Sequence, residues 1–401
     1  MVTHTLWKTP GISRVEIARR LNLYRSTVSN IINILIRHGV VVEEREGAAA
    51  MSGGRRPICL ELNRRFGCVL GLELRPSGYY CVLVDMAGKL IYTLSGLLPD
   101  MSFDAMADAV LFKVYGEVKQ KGIPLLAVCM AVPGVIDAKN EKILESHPFA
   151  LKDHRLRQTF SRRYNIPVFI ENDANCLAWL ELSKNGDSGV KNFMCINLGS
   201  HQKIHQLGEW SKMGIGIGLA LDGFVFPGNN HRAGEFLAPS WRGDTVGQTG
   251  LMAKSRKTPA ADEAAFKELV AELFSSLISV VSVLDPGTIF LYGELVTRAS
   301  LVNKIIQEEV PQFNVLLERM ACDLVFTRDD DFAAATGAAM MYFLHLFSLS
   351  GYCANRFDYT VDWDTLFALA SGEKQHRRHD DLPEGLYPPV SQPGSSEWTL
   401  K

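Results

Sequence analysis

The sequence predicts an α/β protein in two parts: a small basic helix-turn-helix module, residues 1–65, ahead of a larger body of alternating strands and helices. Three observations predict it. Residues 1–65 hold eleven Lys and Arg against five acids, a net +6, which leaves −8 for the rest of a chain whose total is −2. Two short amphipathic helices separated by "NLY" follow one another near the start. From Phe66 onward, apolar strand-like runs such as "CVLGLEL", "YYCVLVDM", "PLLAVCMAV", "VFIEN" and "TIFLYGEL" alternate with helical patterns.

The module begins with a helix start. Ser13 and Glu16 form a capping box, in which hydroxyl and carboxylate each satisfy an amide that the first turn leaves free. Val15, Ile17, Ala18 and Leu21 give the helix an apolar side. Val28, Ile31, Ile32 and Leu35 then recur at i, i+3, i+4 and i+7, and Gly39 closes this second helix. Its other face carries Arg25, Ser26, Thr27, Ser29, Asn30 and Asn33, short or forked hydrogen-bonding side chains suited to base edges and phosphates in a major groove. A solvated helix also has a polar face, but one usually richer in Glu and Lys.

"VVVEEREGAAAMSGGRRPICLELN" is expected to form a strand, a loop and a strand. Its tip offers Arg55 and Arg56 on a thin ribbon that fits a narrow minor groove. Together these pieces predict a winged helix-turn-helix. The helix that normally precedes the capping box has only "MVTHTLWKTP" to form from, so it is either a stub or begins upstream of this Met.

Several classes are excluded by composition. At 401 residues and 47% hydrophobic content the chain can bury a large core. No apolar run approaches the roughly 20 residues of a membrane helix, and the first residues lack a basic leader with an apolar stretch, so a cytoplasmic location is expected. Eight cysteines are scattered without a C-x-x-C pair, as expected for reduced core thiols rather than a zinc site or disulfide frame.

In the body, "AVPGVIDAKNEKI", "LRQTFSRRYNIPVFIENDANCLAWLE", "GIGIGLALDGFVFPGNNHRAGEF" and "LDPGTIFLYGELV" follow "SGGRRPICLELN" in an order that resembles the ROK family of bacterial repressors and sugar kinases, over about residues 11–345. The resemblance implies an actin-like ATPase fold, residues 66–350, with lobes of about 66–188 plus 333–350 and 189–332. A C-terminal extension, 351–401, is expected to be flexible from about 371, after a docking helix within "YTVDWDTLFALA".

A kinase of this family needs a base for the sugar hydroxyl, polar groups to hold the sugar, and glycine-rich hairpins that close on ATP phosphates. By the resemblance, Asp173 matches the base, Asn172 its sugar-binding neighbour, Glu235 of "RAGEF" the glutamate that grips sugar hydroxyls, and Gly134 of "VPG" the point where backbone approaches the ligand. Taken alone, Asn172 and Asp173 would equally cap the helix that follows them. The nucleotide side departs from the pattern. Where the kinases carry Asp-x-Gly-Gly-Thr, this chain has Glu73, Leu74, Arg75, Pro76 and Ser77. "HQKIHQLGEWSK" interrupts the second phosphate hairpin, and a glycine pair near the adenine site has become Gly293 and Glu294. Asp173 is therefore expected to be a vestigial base with no catalytic role, and no cofactor is expected.

The family's structural zinc is also expected to be absent. Ala238 stands where a His ligand would, and "PSWRGDTVGQTGLM" has no cysteine. His201 with His205, and His231 with Glu235, lack a third ligand. Phe149 replaces a sugar-touching Asn, so His147 substitutes for it or the ligand differs.

The resulting expectation is a sugar-responsive repressor. It would bind operator DNA through the winged helix and a sugar or sugar derivative between the lobes, as a homodimer or tetramer away from any membrane. The helix in "EAAFKELVAELFSSLISVVSVL" is a candidate assembly face, with a pattern equally that of a core helix. The alternatives are an active ATP-dependent sugar kinase with a DNA-binding appendix, and an interaction protein tethered by another polypeptide.

Overall fold

The first helix, α1 (Val2–Lys8), is seven residues long and buries Val2, Thr5 and Leu6. The computed structural model describes residues 1–44, 58–98, 101–155, 166–185, 189–200, 213–243, 247–250, 262–347 and 363–371. The expected wing arginines Arg55 and Arg56, the insertion with His201 and His205, and the tail beyond 371 lie outside the described residues.

After β1 (Ile12–Ser13), α2 (Arg14–Leu21) starts on the expected capping box: Ser13 Oγ accepts from the Glu16 amide and the Ser13 amide donates to Glu16 at 3.0 Å. α3 (Arg25–Arg37) buries Val28, Ile32 and Leu35 against it. β2 (Val41–Glu44) and β3 (Cys59–Leu62) complete a sheet of order β1-β3-β2. One expectation fails: Val15 is 51% exposed. The buried stripe of α2 runs through Ile17 and Ala18, and a residue two positions from Ile17 falls on the far side of a 3.6-residue turn.

The body repeats one topology twice. Lobe I is the sheet β11-β7-β4-β5-β6, from β4 (Cys68–Arg75), β5 (Gly78–Asp85), β6 (Leu90–Leu97), β7 (Leu125–Val132) and β11 (Val168–Asn172). Lobe II is β14-β13-β12-β15-β16, from β12 (Phe193–Ser200), β13 (Met213–Leu221), β14 (Phe224–Val225), β15 (Thr288–Gly293) and β16 (Asp323–Phe326). In each, three antiparallel strands are extended by two parallel ones. A long helix fills the crossover before the fourth strand, α4 (Phe103–Lys121) in lobe I and α6 (Glu263–Leu284) in lobe II.

The last strand of each lobe feeds a helix that packs toward the other. α5 (Asp173–Asn185), leaving lobe I, lies on β12 and β13; α10 (Ala333–Phe347), leaving lobe II, returns to β4, β5 and β7, and the two helices pack together. A buried Tyr292 hydroxyl donates to Glu181 of α5 at 2.5 Å, fastening that helix to lobe II. Between α6 and α10 run α7 (Glu294–Thr297), α8 (Ala299–Glu309) and α9 (Pro311–Met320).

A small sheet of β8 (Val135–Asp137), β9 (Lys142–Ser146) and β10 (Leu151–Arg155) joins the lobe I core through Ile136 and Ile143. The apolar face of α6 proves to be core: Phe266, Leu269, Val270, Leu273, Phe274, Leu277 and Val281 are fully buried in lobe II, so that stripe is not an assembly face. α11 (Trp363–Ala370) buries Leu366 and Leu369.

The helix-turn-helix module and lobe I share one hydrophobic core. Trp7 packs on Phe347 and Phe343 of α10, with centroids at 5.2 and 6.4 Å. His38, at the end of α3, stacks on Phe367 of α11 at 4.1 Å. Such packing makes the module part of the body rather than a bead on a linker. Of the seven described cysteines, all free, six are buried. Among the described residues no helix is long and apolar enough to cross a membrane.

Candidate functional site

The cleft between the lobes is floored where β11 passes into α5. Asn172 does cap the helix: its Oδ1 accepts from the Asn175 amide at 3.0 Å, while its Nδ2 donates to the Gly134 carbonyl at 2.8 Å. That second bond ties the helix start to the turn of Val132, Pro133 and Gly134. An amide retains one further donor hydrogen and one further lone pair, so capping and ligand binding are compatible. Gly134 has φ of 140°, and a Cβ there would lie 2.3 Å from the Glu145 carbonyl oxygen, so only glycine fits.

Glu235 approaches from lobe II. Its segment lies along β13, with Glu235 bridged to Gly216 and the Ile217 amide donating to the Gly234 carbonyl at 3.2 Å. Gly234, at φ of 85°, would drive a Cβ to 1.7 Å from the Ile217 oxygen. The carboxyl of Asp173 is pushed up to about 6: burial acts first, then Glu73, and Glu235 adds to it, against the Ala174 amide and Arg75. Glu235 is raised in the same direction, by burial first, with Arg232 and His147 opposing. Two carboxylates within electrostatic reach of one another, Asp173 half-buried and Glu235 open to solvent on part of its surface, suit a polyhydroxylated neutral molecule that can donate to both.

An ion pair stands beside Asp173. Arg75 donates to Glu73 through Nε at 2.6 Å and Nη2 at 3.1 Å, and its guanidinium lies over the Tyr80 ring at 4.6 Å. Burial works against this charge but Glu73 outweighs it, so the guanidinium stays protonated beside Asp173. Gly293 precedes α7, and Glu294 pairs with Arg298 at 3.5 Å.

Two contacts cross the mouth on the Glu235 side. Arg232 Nη2 lies 2.8 Å from Glu145 Oε2, and His231 lies 3.7 Å from Asp137. The first holds the Glu145 carboxyl below its ordinary range. Phe149 packs edge-on against Phe103 at 4.9 Å. His147 is exposed, 3.6 Å from Glu145 and near enough to influence Glu235.

Residues 81–236 match the ROK family, and residues 4–42 match a winged helix-turn-helix DNA-binding family. The chain carries a ROK-family domain behind a winged helix-turn-helix. It is 28% identical over 232 residues to the xylose repressor of Bacillus subtilis (strain 168), an alignment that spans 57% of this chain and 56% of that relative. It therefore spans little more than half the length of that relative. The match to the xylose repressor of Lactiplantibacillus pentosus is 23% over 394 residues, 85% of this chain and 91% of the relative. NagC, a DNA-binding transcriptional dual regulator of Escherichia coli (strain K12), is 23% identical over 227 residues, covering 56% of this chain and 52% of its own.

Among solved structures, a ROK family transcriptional regulator, a homolog of the E. coli MLC protein, superimposes with TM-score 0.66 at 16% identity over 93% of this chain and 96% of its own. A ROK family glucokinase from Streptomyces griseus, in complex with glucose and AMPPNP, gives 0.52 at 19% over 69% and 99%. At these identities the likeness shows the fold alone.

The ROK zinc does not fit this chain. Position 238 is a buried methyl, and residues 239–250 offer hydroxyl and amide oxygens and the single carboxylate of Asp244 in place of imidazole and thiolate. Among the described residues no group of three His, Cys, Asp or Glu could hold a metal ion.

On the helix-turn-helix module, Arg25, Ser26, Thr27, Asn30 and Asn33 are exposed along α3 and Ser29 is half-buried. Arg14 of α2 adds itself to this face, bonding Asn33 at 2.9 Å and Glu43 at 2.7 Å. Sequence reasoning missed Arg14, Tyr80, Arg232 and Glu145. Glu73 and Arg75 carried a signal, because residues two apart on a strand share a face.

Proposed function

We propose that this chain is a sugar-responsive transcriptional repressor without kinase activity. The α3 face of Arg25, Ser26, Thr27, Ser29, Asn30 and Asn33, together with the arginines Arg55 and Arg56, reads operator DNA. Asn172, Asp173, Gly134 and Glu235 hold a sugar between the lobes.

One observation carries the reading: the sugar-side carboxylates converge on the cleft, while the Arg75–Glu73 pair occupies the place where a kinase would cradle phosphate. A triphosphate would have to displace a bidentate ion pair stacked on Tyr80 and then face three carboxylates. Since Glu73 already satisfies Arg75, the same charges favour an uncharged sugar over a phosphorylated one.

In a dimer, lobe closure on the sugar alters the separation of two recognition helices. Half-sites about one helical turn apart, roughly 34 Å, tolerate only one separation, so sugar and operator are negatively coupled. Support comes from the relatives named as repressors and from the shared core that joins module to lobe I.

Calorimetric titration of the full chain with neutral monosaccharides, amino sugars, sugar phosphates and ATP tests this. Binding of a neutral sugar, release of operator by that sugar and no heat with millimolar ATP are expected. Sugar-dependent ADP release would establish the kinase instead.

A further inference from the structure

The loop that zinc would fasten in this family is joined to β13 here by one side chain. Residues 234–236 run antiparallel to β13: Gly234 pairs with Ile217, and Glu235 with Gly216. At the next step, where Phe236 would meet Ile215, the amide of Gln248 stands between them. Its Oε1 accepts from the Ile215 amide at 2.7 Å, and its Nε2 donates to the Ile215 carbonyl at 2.7 Å and the Phe236 carbonyl at 3.0 Å. The carboxamide thereby acts as a detached peptide group that continues the ladder by one rung.

The backbone of Gln248 closes the loop by accepting from the Ala238 amide at 2.8 Å, at the position where a zinc-binding His would stand. Beyond it, Thr249 is fully buried and the Gly250 amide donates to Ser240 Oγ at 2.7 Å, while that hydroxyl donates to Glu272 of α6. The loop is thus stitched to β13 on one side and to α6 on the other.

We propose that Gln248 is a positioning residue that fixes Glu235 in the cleft, so that the effector site is assembled by a carboxamide in the role a metal fills in the family. The inference rests on the reading of Glu235 as an effector contact. Its chemistry is specific. Three backbone groups of two buried residues need one acceptor and two donors from one side chain. A carboxylate of the same shape would turn lone pairs on two carbonyls, and a leucine would leave all three groups unmet.

The test compares the full-length wild type with Q248E and Q248L, using the neutral monosaccharides as probes and amide hydrogen exchange as a second readout. For Q248E at pH 8, the sugar Kd should weaken about 10-fold, the scale of one or two lost buried hydrogen bonds. The ratio to wild type should shrink toward pH 5.5, because protonation of the introduced carboxyl restores one donor, whereas Q248L should stay weak at every pH. Exchange at the Ile215 amide should quicken in both variants, and dialysis against EDTA should leave wild-type affinity unchanged.

Wild-type affinity and exchange in Q248E, or an affinity lost to EDTA and restored by zinc, would overturn the proposal. If no monosaccharide binds wild type, the effector reading falls, and unchanged exchange at Ile215 in Q248E would then overturn the staple by itself.

Discussion

Arg232 of lobe II and Glu145 of lobe I meet 2.8 Å apart across the mouth of the cleft, 87 residues apart in sequence. The side chains are 53% and 32% exposed, so the pair adds little to the stability of the fold, about 0–1 kcal/mol. What it changes is the relative position of the lobes, since one partner belongs to each. Arg232→Ala is expected to leave the melting temperature within a few degrees while speeding sugar dissociation about 2- to 5-fold, on the scale of a pair worth up to ~1 kcal/mol. Stopped-flow release of a bound sugar checks this. An unchanged off-rate would show that the lobes close without the pair.

Asp173 gives the site a pH dependence of known sign. Its carboxyl is pushed up to about 6, chiefly by burial. A folded value above the unfolded one means that the native state keeps a proton the unfolded chain gives up. This contribution to stability is present below about 4 and is lost as pH rises through about 6. Asp173→Asn is therefore expected to raise stability at pH 7 by about 1–2 kcal/mol and to leave it little changed at pH 4. Sugar affinity moves the other way. A hydroxyl donates to the ionised carboxylate, so wild-type affinity should climb between pH 5 and 7, and the Asn variant should bind at least about tenfold more weakly without that slope. Thermal melts and titrations across pH 4–8 measure both.

Arg75 was visible in the sequence only as a misfit in a phosphate loop; its partner gives it a purpose. Removing the guanidinium by Arg75→Ala strands Glu73, whose side chain is 4% exposed. A loss of about 3–5 kcal/mol is expected, as for other half-broken buried pairs, and the double variant with Glu73→Ala should recover a large part of it. Equal destabilisation in the single and double variants, measured by urea denaturation, would mean that the two groups do not act as a pair.

Local signals were legible and long-range ones were not. The Ser13–Glu16 capping box, the polar face of α3 and the passage of β11 into α5 at Asp173 each depend on residues within about one turn or strand of one another, where spacing dictates geometry. Val15 shows the limit even there, since its chemistry suited the core but its angle on the helix did not. The pairs Arg232–Glu145 and Gln248–Ile215, and the stack of His38 on Phe367, join residues 33 to 329 positions apart. Nothing in their local pattern distinguishes them from ordinary surface residues. They meet only once the module, the two lobes and the loop after Glu235 are packed together.

The stack of His38 on Phe367 is where module and body can be uncoupled. His38 ends α3, the proposed recognition helix, and Phe367 belongs to α11, whose Leu366 and Leu369 are buried in the shared core. Phe367 itself is half-buried, so Phe367→Ala is expected to cost about 1–2 kcal/mol, less than a fully buried Phe. Its larger effect should fall on coupling, because a sugar shifts operator affinity only as far as the two sites bias one rigid arrangement. In the variant, operator affinity without sugar should drop only a few-fold, while its reduction by saturating sugar should shrink from about 10-fold or more toward unity, the loss of a typical coupling energy. Operator titrations by fluorescence anisotropy, with and without sugar, give both numbers. Full coupling in Phe367→Ala would route the signal through Trp7 and its contacts with Phe343 and Phe347 alone.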